Sequence, residues 1–499
     1  GDVYGGSALG YVNGTAATNT YHTYVTMNKG TINGSLYGGG LGDGSNAANV
    51  YGPVAVTVNG GSVNTTSADG SGAVYGCNNI NGAPQRAVAV VINGTDPAPG
   101  EGTYALDAVY GGGNMAAYVP SNPETTEAKA TVNIYGCGVT SIQYVYGGGN
   151  AASVPASEVN VQGCYEIGYV FGGGNGKDKL PNGQDNPGAN VGYYTYEYNG
   201  QTGEVISGTQ QSYGTGVAAV NLLGGRIHSA FGGSNTKGNV REAAVAFLDE
   251  ADDLCLLHID DVYGGGNEAY MEGNAQIKLG CITELAVIYG GSKRANVGGD
   301  IVLNITSGHF DRVFGGNNLG GAINGSITVN IEETGCNPIT IGEVYGGGNK
   351  AAYSVYGYNA DGTYIDSGEK LYSDPVVNLR SFTSIGRVFG GGLGEEAVMV
   401  ASPTVNINEV VGANASNTLW PHLNKTINFN DGTASVTLPL HEAGKIGAIG
   451  TVFGGGNAAK VIGDTNVNIG TADDIIGVDI RGNVYGGGNQ ADVTGKTNV

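Results

Sequence analysis

The densest group of side chains able to move protons is Asp252, Asp253, Asp260 and Asp261 with His258. Two carboxylates flanking a bond are what acid–base cleavage of a glycosidic link requires. Neighbouring segments supply no matching carboxylates, so this cluster reads as a solvated turn of an acidic chain. The spacing G-x-G-x-x-A starts at Gly111, Gly147, Gly264, Gly346, Gly454 and Gly486. It mimics the glycines of a dinucleotide site, but such a site needs a crossover helix behind it. Six copies without a following helical pattern read as turns. Gly495-Lys496-Thr497 echoes the end of a phosphate loop, yet Gln490 stands where its leading glycine belongs. The six histidines lack metal-ligand spacing, and no G-x-S-x-G elbow is present. No catalytic residue, metal site or cofactor is assigned. Calcium at an acidic turn stays open, although Asn stands where the calcium-binding β-roll repeat places Asp.

The elements that position these residues follow from composition and period. Glycine supplies 93 of 499 residues, charged residues only 13% and hydrophobic ones 40%. Disorder needs the reverse balance, and collagen needs glycine at every third position. The net charge is −22, from 21 basic and 43 acidic residues. Without a basic cluster to displace phosphate counterions, nucleic acid is not expected as a partner. No apolar run reaches the length of a membrane span. The opening GDVYGGSALG is not a signal peptide, and both ends read as the middle of a repeat. The expectation is a segment of a longer chain.

Self-similarity organises the whole sequence. An aliphatic–aromatic–glycine unit recurs fourteen times, centred on Tyr4, Tyr37, Tyr75, Tyr110, Tyr146, Phe171, Phe231, Tyr263, Tyr289, Phe314, Tyr345, Phe389, Phe453 and Tyr485. The shortest interval is 25 residues, as from Tyr146 to Phe171 and from Tyr289 to Phe314. Between the motifs lies a second apolar–polar–apolar segment, such as Val132-Asn133-Ile134 or Val405-Asn406-Ile407. Period two places one face in a core and the other in solvent. The nearest approach to a helical period is Val240–Leu257. Strands repeated at this interval predict an all-β fold, a right-handed parallel β-helix or β-solenoid of about fourteen coils, in which each coil completes its neighbour's core. The expected organisation is one continuous solenoid over residues 1–499, with insertions at about 177–212, 353–374 and 412–442.

Phe replaces Tyr freely in the motif, so the phenol hydroxyl is not needed at every level. That predicts a stacked structural ladder that includes Tyr110, Tyr146, Phe171, Tyr263, Tyr289, Phe314 and Tyr345. The motif glycines serve positive φ or close approach of coils. The asparagines after them (Asn114, Asn150, Asn175, Asn267 and Asn349) tolerate left-handed geometry and can form a ladder of amides. Cys137, Cys164, Cys255, Cys281 and Cys336 precede the next aromatic by seven to nine residues and so fall on one corner. Cys137–Cys164 and Cys255–Cys281 are candidate bridges. Buried free thiols are the alternative.

Loops on a rigid scaffold carry function more often than the scaffold does. The first insertion holds Tyr193, Tyr194, Tyr196 and Tyr198, and the second Tyr353, Tyr356, Tyr358 and Tyr364. The third holds the single tryptophan, Trp420. Tyr193, Tyr194, Tyr196, Tyr198, Tyr356, Tyr358 and Trp420 are the candidate ligand-binding residues, for glycans or a protein partner. Packing on the flank of the solenoid is the other reading.

The repeat VYGGGN-x-A-x-V-x-G-x-T-x-V-x-I resembles the tandem repeats of large adhesin-like surface proteins of gut bacteria, over essentially the whole chain. The resemblance implies an extracellular or cell-surface location and a stalk, adhesin or fibre role; separately, with no convergent carboxylates on adjacent coils, the chain is not expected to be an enzyme. Expected partners are further repeats of the same chain, other copies end to end, and host or microbial glycans. A polysaccharide-processing β-helix enzyme and a phage or appendage fibre are the alternatives.

Overall fold

The computed structural model describes residues 1–499 except 15–19, 64–71, 98–102, 124, 126–127, 177–187, 196, 198, 200–204, 251–254 and 417–424. The chain is a parallel β-solenoid and divides into two compact units. The first unit is built mainly from Gly1–Ala246. Its motif strands Val3–Tyr4, Leu36–Tyr37, Ala73–Tyr75, Leu106–Tyr110, Ser141–Tyr146, Glu166–Phe171 and Gly225–Phe231 pair in that order, all parallel. A second parallel sheet runs through Thr23–Met27, Val54–Val58, Val88–Ile92, Ala130–Ile134, Ser157–Val161 and Val217–Leu222. Single bridges such as Val12–Val50–Pro84 and Val154–Val191–Val240 form a third, short ladder.

The second unit, mainly Asn274–Val499 with Leu257–Gly265, repeats this plan. Its motif strands are Leu257–Tyr263, Glu284–Tyr289, His309–Phe314, Thr340–Tyr345, Ser384–Phe389, Ala448–Phe453 and Val484–Tyr485. The second sheet follows Asn274–Leu279, Ile301–Ile305, Ile327–Glu332, Val376–Ser381, Thr404–Ile407, Thr465–Ile469 and Thr497–Asn498. The stretch with the nearest approach to a helical period forms the strand Ala243–Leu248 instead. Its alternate residues Ala244, Ala246 and Leu248 are buried, and burial on one face decides in favour of period two.

Register repeats coil after coil, so like stacks on like. Val109, Val145 and Val170 are in register and fully buried. The aromatic rings stack face to face beside them. In the first unit, centroids from Tyr4 through Tyr37, Tyr75, Tyr110, Tyr146 and Phe171 to Phe231 are 4.7–5.0 Å apart. In the second, Tyr263, Tyr289, Phe314, Tyr345, Phe389, Phe453 and Tyr485 are spaced 4.8–5.0 Å. Each such pair adds about 0.5–1.5 kcal/mol beyond its buried area.

Close approach, not unusual φ, fixes the motif glycines. None of Gly111, Gly112, Gly113 and Asn114 lies in the left-handed region. A Cβ on Gly111 would lie 2.5 Å from the Gly147 carbonyl and 3.1 Å from the Ala130 Cβ. Nor do Asn150, Asn175, Asn267 and Asn349 adopt positive φ. Their side chains bond instead: Asn114 donates to Asn79 at 2.9 Å, Asn150 to Asn114 at 2.8 Å, Asn175 to Asn150 at 2.8 Å, and Asn349 to Asn318 at 2.9 Å. Asn267 donates to Asn235 at 2.9 Å. The Tyr110 and Tyr146 hydroxyls donate sideways into this row, to Asn150 at 3.3 Å and Asn175 at 3.2 Å. Among the described residues no helix is long and apolar enough to cross a membrane.

Candidate binding surface

Tyr193, Tyr194, Tyr353 and Tyr358 of the first two insertions are spent on contacts within the protein. Tyr193–Thr195 pairs antiparallel with Gln211–Tyr213, and the Tyr193 ring stacks on Tyr213 at 4.7 Å. Tyr194 donates to Glu272 at 3.0 Å, with the Arg241 guanidinium 5.6 Å from its ring centre. Arg241 also donates to the carbonyls of Tyr193, Tyr213 and Gly214, clamping the hairpin. In the second insertion Tyr353 is buried and donates to the Gly325 carbonyl at 3.0 Å. Tyr358 donates to the Ala352 carbonyl at 3.0 Å; burial pushes its hydroxyl up to about 12. Tyr356 is half-buried. Tyr196, Tyr198 and Trp420 lie outside the described residues.

In the third insertion the strand Val436–Thr437 lies against the motif strands Thr340–Tyr345 and Ser384–Phe389 of the second unit. Thr426–Ile427 pairs antiparallel with Val436–Thr437; Ile427, Val436 and Leu438 form a small core with Phe429 against it. Beneath it runs a charged row that sequence reasoning missed. Glu343 is fully buried and is paired by Arg312 and by Arg387, each at 2.8 Å. Arg312 also pairs with Asp431 and stacks 3.7 Å from the Phe429 ring centre. Burial alone would raise the Asp431 carboxyl, but hydrogen bonds from Arg312 and Thr433 hold it well below the usual carboxylate range. A signal was present: Arg312, Glu343 and Arg387 each stand two residues before a motif aromatic. In the first unit that position holds Tyr144 and Tyr169. Their rings stack at 5.2 Å, and Tyr169 is 36% exposed. Beside them Glu166 pairs with His228 at 2.8 Å.

Acid–base candidates do not converge. His258 meets Asp260 at 3.3 Å with both about half exposed, and Asp261 accepts the Tyr263 hydroxyl at 3.1 Å. Asp252 and Asp253 lie outside the described residues. Among the described residues no group of three His, Cys, Asp or Glu is placed to hold a metal. Glu409 is fully buried, and neither oxygen makes a hydrogen bond of good geometry, the Asp479 backbone offering only a weak one. Burial raises its carboxyl to about 8.

The cysteines pair differently from the sequence expectation. Cys137 bonds to Cys255, with Cα atoms 5.6 Å apart, and Cys281 to Cys336 at 5.3 Å. Cys164 and Cys77 are free and buried. Cys137–Cys164 and Cys255–Cys281 therefore do not form, and the reason is local. A Cβ on Gly163 would sit 2.8 Å from the Cys137 sulfur and 2.9 Å from that of Cys255. The bridge crosses the bare glycine, while Cys164 beside it is 2% exposed and its thiol meets the Arg226 carbonyl at 3.3 Å.

The outer face of the second sheet carries another amide ladder. Asn221 donates to Asn160 at 2.7 Å and Asn160 to Asn133 at 3.0 Å. In the second unit, Asn468, Asn406, Asn378, Asn330 and Asn304 continue the same scheme at 2.8–2.9 Å. The sequence shows these residues as the polar middle of the apolar–polar–apolar segments. Their recurrence as asparagine was the signal for a ladder. No family model, curated protein or solved structure matches the chain.

Proposed function

We propose that this chain is a structural segment of an extracellular or cell-surface protein, a stalk that holds adhesive surfaces away from their anchor. The observation that carries this reading is the in-register stacking within each unit. Valine, aromatic, glycine and asparagine rows recur in successive coils, so each coil is a template for the next. Such a fold suits a structural or fibrous role, because stability accrues by nearest-neighbour contacts and length costs no new core design. The Cys137–Cys255 and Cys281–Cys336 bonds support an oxidising compartment. Resemblance of the VYGGGN repeat to adhesin-like surface proteins points the same way. Partners are further coils of the same chain or of another copy, and glycans.

Two measurements test this together: the denatured mass of the native polypeptide, and its labelling on intact source cells by a membrane-impermeant reagent. A polypeptide heavier than 50.3 kDa, with more YGGGN coils and labelled from outside, is the expected result. A native chain that is protected inside intact cells and has all six cysteines reduced would overturn the reading.

A further inference from the structure

The outer face of the second sheet in the second unit holds a groove of about 360 Å³. Lys278, Asn304, Thr306, Asn330, Glu332 and Thr334 supply its polar lining. One wall is fixed by chemistry already described. Strand register shifts between Ile331 and Glu332, and the Cys281–Cys336 bond ties down the chain that follows.

Hydrogen-bonding capacity in this groove is unspent. A primary amide has two N–H donors and two acceptor lone pairs. Asn330 uses one donor on Asn304 and one lone pair on Asn378, leaving one of each. Asn304 accepts from Asn330 and donates to no described group. Thr306 and Thr334 give their hydroxyl protons to the carbonyls of Leu279, at 2.9 Å, and Thr306, at 3.4 Å, so each presents an acceptor outward. Lys278 and Glu332 are exposed, and neither makes an ion pair with a described residue. Arg380, whose field reaches Glu332, is committed to Asp474.

Donors and acceptors thus alternate in a groove whose two charges cancel, while Leu279 and Ile305 between them turn their side chains to the core. Vicinal hydroxyls, each donor and acceptor at once, complement a half-satisfied amide. An extended peptide is the poorer fit. Peptides bind sheets by pairing with an edge, whereas this is a face, and their side-chain repeat of about 6.6 Å per two residues exceeds the strand spacing. A polyanion meets a chain of net charge −22, which lowers its local concentration.

We propose that the groove binds a neutral oligosaccharide, with Asn304 and Asn330 bridging vicinal hydroxyls and Lys278 and Glu332 taking hydroxyls at its two ends. The proposal rests on the adhesive part of the reading above. The test is calorimetric titration of the intact, disulfide-bonded chain with neutral gluco-, xylo- and manno-oligosaccharides, and with uronate oligosaccharides alongside. Lys278→Ala and Glu332→Ala are the variants, chosen because both side chains are exposed and outside the core. The expected result is saturable binding of a neutral oligosaccharide, weakened by roughly tenfold in each variant, the loss of a hydrogen bond to a charged group, with the thermal midpoint unchanged. Neutral binding indifferent to both substitutions overturns this site and leaves the adhesive reading standing. Preference for uronates overturns the ligand class, and no binding at millimolar sugar overturns both the groove and the glycan part of the adhesive reading.

Discussion

Two residues before the motif aromatic, the first unit places Tyr144 and Tyr169 and the second places Arg312, Glu343 and Arg387. The backbone at these positions is equivalent, and the environments are opposite. Tyr144 and Tyr169 stack on one another at the surface. Glu343 is fully buried, gripped by two arginines and roofed by the Thr426–Thr437 hairpin. A solenoid's repeat sets where a side chain stands but not what covers it. Insertions decide the cover, and the cover decides how much a substitution costs.

Breaking the buried side of this contrast should have the largest effect. Glu343→Ala leaves Arg312 and Arg387 without their shared carboxylate and should cost about 3–5 kcal/mol. Denaturant unfolding should show the loss, with Trp420 fluorescence as a second probe in the insertion that includes the hairpin. A loss below ~1 kcal/mol would mean that the arginines find water once the carboxylate is gone. The disulfides sharpen the comparison in a second way. Removing either bond, by Cys255→Ser or Cys336→Ser, should cost about 2–4 kcal/mol. The bonds span 118 and 55 residues, so closure entropy makes the first only about 0.7 kcal/mol the more costly. Matched thermal melts of the two variants check this difference.

Glu409 offers a change of opposite sign. Burial raises its carboxyl from the ordinary 4.5 to about 8. The folded form therefore holds its proton where the unfolded form has lost it. Stability from this group is fully present below about 4.5 and is lost as pH rises towards 8. Glu409→Gln should stabilise the protein by roughly 1–3 kcal/mol near neutral pH and leave it unchanged at pH 4. Melting curves at the two pH values decide it; equal shifts at both would remove ionisation as the cause. The smallest effect belongs to the open row. Tyr169→Ala should cost no more than ~1 kcal/mol, measured in the same denaturant series as Glu343→Ala.

The architecture was legible because it rests on repetition. Fourteen aromatics, each followed by glycine, and alternating strands between them define two parallel sheets before any contact is known. What stayed illegible depends on departures from the repeat. Cys137 was expected to meet Cys164, its neighbour in coil order, but the corner is crossed at Gly163, a position a residue count does not single out. Asn114 and its equivalents could serve φ or hydrogen bonding, and only the backbone decides between them. The tyrosines at 193, 194 and 358 looked like a binding loop by composition; their partners Tyr213, Arg241, Glu272 and Ala352 are remote in sequence or belong to the backbone. Arg312, Glu343 and Arg387 could have been aligned on their aromatics. Their burial could not, because it comes from residues 425–438, which belong to no repeat.

Every amide in the ladders described above points the same way: Asn114 donates back to Asn79, Asn160 to Asn133, Asn330 to Asn304 and Asn468 to Asn406. A row of like-oriented dipoles has a head and a tail, and the earlier coil always presents the acceptor. Each new coil therefore docks its amide donors on an acceptor row that the coil before it has already laid down, whereas the Cys137–Cys255 bond and the Arg312–Asp431 pair wait for segments far along the chain.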